Sequence, residues 1–130
     1  MLRTYSNNLS VTANNAIPFN VDKIDTGAAI THSAGSTNIR VNTPGFYKVH
    51  LDISTTAKTL ASVQLYANGV AIPDAIITNT YTDGEYLSSS FETIIRANPG
   101  AFGQSVNLTV VPTADLTIAS IALGISQRNS

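Results

Sequence analysis

The sequence predicts an all-β protein: a sandwich or barrel of eight to ten short antiparallel strands. Three observations carry this. Apolar and polar residues alternate with a period of two along most of the chain, and no stretch shows a convincing period of 3.6. Turn-forming clusters recur about every 8 to 12 residues, the spacing of a β-sandwich or barrel. Pro18, Pro44, Pro73, Pro99 and Pro112 all fall at expected strand ends or turns, where a missing N–H does no harm.

Taken in order, residues 9–13 place Leu9, Val11 and Ala13 on one face. Short strands follow at 28–33 and 37–42, separated by Ala34-Gly35-Ser36. Thr43-Pro44-Gly45 then leads into a strand from Phe46 to about Thr56. Its inward face carries Tyr47, Val49, Leu51 and Ile53, and its other face Phe46, Lys48, His50, Asp52 and Ser54. The strand at 61–67 ends at Asn68-Gly69, a pair suited to a tight hairpin turn. The strand at 75–81 runs to Asp83-Gly84, read as a second turn of the same kind. Residues 85–97 direct Leu87, Phe91 and Ile95 to one face, and 98–104 break the pattern. Val106, Leu108 and Val110 point inward from 105–111, and Thr113-Ala114-Asp115 turns the chain into 116–126.

That last strand offers Ala119, Ile121, Leu123 and Ile125 to the core. Its other face holds Ile118, Ser120, Ala122, Gly124 and Ser126, nearly all small. Small residues on a strand let a second backbone approach closely. A central strand that tolerates small neighbours would look the same.

The bulk composition narrows the function. At 130 residues the chain has room for a single core. Charged residues make up 12%, about half the usual share, and the net charge is −1. No basic patch exists to grip phosphates, which argues against nucleic acid as a partner. Ser, Thr and Asn fill roughly a third of the chain, and 43% of residues are hydrophobic, which is not the composition of a disordered segment. There is no cysteine, so disulfides and thiolate zinc sites are excluded. No apolar stretch approaches the roughly 20 residues that a membrane-spanning helix needs, so no membrane insertion is expected.

The pieces Ile17-Pro18-Phe19-Asn20, Thr26-Gly27-Ala28-Ala29-Ile30, Thr43-Pro44-Gly45-Phe46-Tyr47-Lys48-Val49 and Leu65-Tyr66-Ala67-Asn68-Gly69-Val70-Ala71-Ile72-Pro73 occur in that order. Together they resemble the complement globular-head and tumour-necrosis-factor-like superfamily. The likeness is nearest to bacterial and phage members, such as the C-terminal domain of the collagen-like spore exosporium glycoprotein, and runs from about residue 14 to 126. The resemblance implies a ten-stranded jelly-roll sandwich that forms a homotrimer, with the middle and last strands at the three-fold contact. It divides the chain into an N-terminal strand or arm at 1–13 and the jelly roll at 14–130, within one domain overall. No Gly-X-Y stalk precedes the domain here, and a small stand-alone product is the expectation. That suits a phage virion, as decoration or receptor-binding tip; a spore or cell surface is the alternative. Expected partners are two further copies, other virion or surface-layer proteins, and a cell-surface glycan or protein receptor.

The row Lys48, His50 and Asp52 could be a catalytic site, a solvent-facing surface or a subunit contact. Alternate residues on one strand lie about 6.5 to 7 Å apart, too far for direct hydrogen bonds in a straight line. No nucleophile or oxyanion motif accompanies them, and no enzyme is predicted. The resemblance assigns Phe46, Lys48, His50, Asp52, Ile118, Ser120, Ala122 and Gly124 to the trimer contact, with plain solvent exposure of the row as the alternative. The acidic pairs Asp22/Asp25 and Asp83/Glu85 each fall short of the six to eight oxygens calcium takes, and His32 and His50 lack zinc-ligand spacing, so neither metal nor cofactor is expected. Tyr47 should be buried with its hydroxyl satisfied, whereas Tyr66, Tyr81 and Tyr86 are read as outward. The polar stretch 77–86, with Asn79, Tyr81, Asp83, Glu85 and Tyr86, is the candidate ligand-facing loop.

Overall fold

The computed structural model describes residues 1–27, 29–82, 84–97 and 106–128, without the side chains of Asp25 and Arg128. The strands are β1 (Leu2–Val11), β2 (Val21–Asp25), β3 (Ile30–Thr31), β4 (Ile39–Val41), β5 (Gly45–Thr56), β6 (Leu60–Ala67), β7 (Val70–Thr80), β8 (Leu87–Ala97), β9 (Val106–Pro112) and β10 (Leu116–Arg128). They form two five-stranded antiparallel sheets, ordered β2-β1-β10-β5-β8 and β3-β4-β9-β6-β7, packed as a jelly-roll sandwich. Among the described residues there is no helix.

The alternation read from the sequence produces the core directly. Tyr47, Val49, Leu51 and Ile53 of β5 and Ile121, Leu123 and Ile125 of β10 line its first wall; Val63 and Leu65 of β6 and Leu108 and Val110 of β9 line the second. Tyr47 is fully buried, and its hydroxyl donates to the Thr43 carbonyl at 2.6 Å. The predicted partner for that hydroxyl is thus supplied by the turn just before its own strand.

Several elements differ from the sequence reading. β1 starts at Leu2, because Leu2, Thr4 and Ser6 face inward and the two hydroxyls bond carbonyls of Val21 and Pro18. Buried polar groups of this kind disguise a strand's alternation. β2 was not foreseen, and it places Asp22 and Asp25 on a strand rather than in a loop. Pro73 lies inside β7, an edge strand that tolerates it. Two expected turns are connections between sheets, since β7 and β8 belong to different sheets, as do β9 and β10. Asp83 and the breaker at 98–104 lie outside the described residues.

A bulge redirects one end of the first sheet. Ile118 pairs with Thr55 but Ser120 pairs with Ser54, which leaves Ala119 as an extra residue, and the facing Asn8 has a φ of 55°. The extra residue reverses the phase, so Ile118 enters the core with no exposure while Ala119 faces out. Both assignments are the reverse of the sequence reading. Ile118 is removed from the outer face on that ground.

The open sides of the sandwich are closed by polar side chains. On one side, Asp74 of β7 accepts from the Thr93 hydroxyl at 2.9 Å, and Asn79 donates to Ser89 Oγ at 2.8 Å. On the other, Asp22 of β2 meets His32, just after β3, at 2.5 Å. The β6–β7 hairpin does turn at Asn68-Gly69, with φ values of 50° and 80°. Gly69→Ala should therefore lower stability by about 1 kcal/mol through backbone strain alone, as no atom crowds the position. Chemical denaturation of the two proteins checks this.

Candidate functional site

The outer face of the first sheet is a grid fixed by strand register. Its rows, read across β1, β10, β5 and β8, are Asn7–Ser120–Ser54–Ser88, Tyr5–Ala122–Asp52–Ser90 and Arg3–Gly124–His50–Glu92. Below them Ser126 pairs with Lys48, Lys48 with Ile94, and Phe46 with Arg96. One end is therefore hydroxyl-rich, the middle charged, and the other end apolar with an arginine. Phe46 and Ile94 are 46% and 48% exposed, a large outlay of apolar surface for two neighbouring strands.

The charged middle is paired largely within itself. His50 Nε2 lies 3.0 Å from Asp52 Oδ2, His50 Nδ1 is 3.4 Å from Glu92 Oε2, and Lys48 Nζ is 3.3 Å from Glu92 Oε1. The direct His50–Asp52 contact corrects the expectation from strand rise. That rise separates the Cα atoms, but both side chains lean along the strand and meet. His50 Nδ1 is buried, and its approach to Glu92 lacks hydrogen-bond geometry. These pairs are about half exposed, so they set position more than they add stability. Among the described residues no hydroxyl hydrogen-bonds the imidazole, and no group of three or more His, Asp or Glu could hold a metal ion.

Three shallow depressions lie side by side on this face. One of 330 Å³ spans Arg3, Lys48, His50, Glu92 and Gly124; one of 280 Å³ spans Asp52, Ser54, Ser88, Ser90 and Ser120; one of 520 Å³ spans Tyr5, Asn7, Val21, Lys23 and Ala122. Their shared floor is β10, whose Ser120, Ala122, Gly124 and Ser126 leave it low. A Cβ built on Gly124 would meet only Arg3 Cγ, at 3.9 Å, an ordinary contact. Nothing inside the protomer requires glycine there.

Of the residues assigned to a contact from sequence, Phe46, Lys48, His50, Asp52, Ser120, Ala122 and Gly124 share this face, and Ile118 does not. Arg3, Tyr5, Glu92 and the β8 serines were missed. Their alternation was readable, but only strand order brings them beside β5 and β10. The candidate ligand loop disperses. Tyr81 is buried at 6% exposure, its N–H held by the Thr59 carbonyl, because it continues the inward face of β7. Asn79 is half-buried and bonded to Ser89. Of these five candidates Glu85 and Tyr86 are exposed, and Asp83 lies outside the described residues.

The model of the BclA C-terminal domain matches residues 2–126. The chain belongs to the BclA C-terminal domain family. No curated protein matches it in sequence. Solved structures share the fold of this BclA-type domain. It is similar to the globular domain of zebrafish complement 1qA protein, with 11% identity, 98% of this chain and 96% of that one covered, and a TM-score of 0.73. It is similar to murine APRIL at 10% identity, with 94% and 96% covered and a TM-score of 0.69. PRD1 vertex protein P5 is 12% identical, with 98% and 96% covered and a TM-score of 0.66. At these identities the likeness is one of fold.

Proposed function

We propose that this BclA-type domain is a non-enzymatic structural or adhesive module that works as a homotrimer, with the β1-β10-β5-β8 face turned towards two other copies. The observation that carries the reading is Gly124. A glycine that neither backbone conformation nor protomer packing demands, at the centre of a low, uncharged strand, is explained by a surface that comes close from outside. The flanking exposure of Phe46 and Ile94 supports it, since the buried centre of a subunit contact is apolar. The Lys48–Glu92 ion pair and the His50–Asp52 hydrogen bond enter such a contact with partners already in place.

The leading placement is the surface of a phage virion, as decoration or receptor-binding tip, and a viral vertex protein with the same fold supports it. Glu85 and Tyr86 are exposed residues of the loop proposed to face a cell-surface glycan or protein. The second reading, a binding module on a spore or cell surface, is favoured by the family match. Quantitative mass spectrometry of purified virions and of stripped spore outer layers separates the two. The leading reading expects the chain in virions in multiples of three copies. Its presence only in the spore layer transfers the proposal there, and its absence from both sinks the surface role.

A further inference from the structure

The one fully buried histidine side chain takes no part in the face described above. His32 follows β3, has no exposed side-chain surface, and packs edge-on to Phe19 with ring centroids 6.4 Å apart. Its two nitrogens both face oxygen. Nδ1 is 2.5 Å from Asp22 Oδ1 and Nε2 is 2.9 Å from the Ser36 carbonyl. A carbonyl oxygen can only accept, so Nε2 carries a hydrogen. Facing a carboxylate, Nδ1 must carry one too, unless Asp22 is itself protonated. Either way the pair holds one proton more than a neutral imidazole beside a carboxylate. Two ring donors matched to two acceptor oxygens make the pair imidazolium and carboxylate.

The location gives that proton a structural consequence. Asp22 sits on β2, the edge of one sheet, and His32 follows β3, the edge of the other. The same Ser36 carbonyl also accepts the Phe19 N–H at 3.3 Å, and Gly35 N–H donates to the Phe19 carbonyl at 2.8 Å. Phe19 is fully buried in the segment that crosses from β1 to β2. Three pieces of chain thus converge on one ring. The charged groups facing it are Asp22 from β2 and Arg40 from β4, which lines the same small polar depression; residues 17–20 and 33–38 contribute none.

We propose that Asp22 and His32 form a proton-held clasp that keeps the β2–β3 side of the sandwich shut and releases it when the proton is lost. Once one nitrogen is deprotonated, a lone pair of the buried ring faces an oxygen, and the contact turns repulsive. The closed form binds the extra proton, so the clasp weakens when that proton is removed. This holds for a single protomer and does not depend on assembly.

Nitrogen NMR of the wild-type imidazoles, assigned through their own backbones, tests the protonation directly. Both His32 nitrogens should be protonated at the acid end of the titration. Hydrogen exchange of residues 20–41, corrected for intrinsic rate, should then lose protection on raising the pH, by at most about tenfold per unit for one linked proton. The β5–β10 pair should hold. Asp22→Asn should abolish that pH dependence. A singly protonated His32 ring at the acid end overturns the proposal. So does a 20–41 segment whose protection follows the rest of the sandwich, and this reading needs only the wild-type chain.

Discussion

Gly124→Leu should leave a folded protomer and abolish the proposed trimer. The backbone at 124 is not in the left-handed region, and a Cβ there meets only Arg3 Cγ at 3.9 Å, so the protomer accepts a side chain. The leucine branches project outward instead, over the lowest part of the face between Arg3 and His50. Three such side chains around a three-fold axis separate the surfaces by more than a packed contact tolerates. Overpacking a close contact costs about 1–3 kcal/mol at each copy. Light scattering should therefore report the mass of one chain while far-ultraviolet circular dichroism stays that of the wild type. A variant that retains the wild-type oligomeric mass removes β10 from the contact.

Tyr47→Ala should bring the largest loss of stability. The ring is fully buried between the sheets, and its hydroxyl closes the turn at Thr43. Deleting a buried aromatic of this size costs about 3–5 kcal/mol, a large part of a small domain's total. Tyr47→Phe separates the two roles, because it keeps the ring and loses only the hydrogen bond, at about 1 kcal/mol. Urea denaturation of the three proteins should rank them in that order. Burial also raises the phenol above its ordinary value of 10.0. The neutral phenol is therefore favoured in the folded state. Its contribution is complete below pH 10, the unfolded value, and is lost as pH climbs through the raised one. In an alkaline absorbance titration one tyrosine of the wild type should ionise late, together with unfolding, and Tyr47→Phe should lack that step. Ionisation of all five tyrosines in a single early step, with the fold intact, would contradict the burial argument.

Strand content was legible because alternation is a local property. β5, β6, β8 and β9 could be read from which residues are apolar, and the Asn68-Gly69 turn from its dipeptide. What escaped was carried by polar atoms or by long-range register. Thr4 and Ser6 point into the core because Val21 and Pro18 carbonyls receive their hydroxyls, so the first half of β1 does not look like a strand. The bulge at Ala119 depends on the partners of β10, and one extra residue was enough to exchange Ile118 and Ala119 between faces. The face itself was half visible. Phe46, Lys48, His50 and Asp52 alternate on one strand, but Glu92 and Arg3 join them only because β8 and β1 lie on either side of the β5–β10 pair. Tyr81 was misread for a related reason: it follows the end of β7, yet still points inward.

Sedimentation equilibrium on the wild-type chain at micromolar concentration tests most directly whether the β10 face meets two copies of itself. The expected result is a single species at three times the 13.7 kDa of one chain. A stable, well-folded species of 13.7 kDa at that concentration would contradict it.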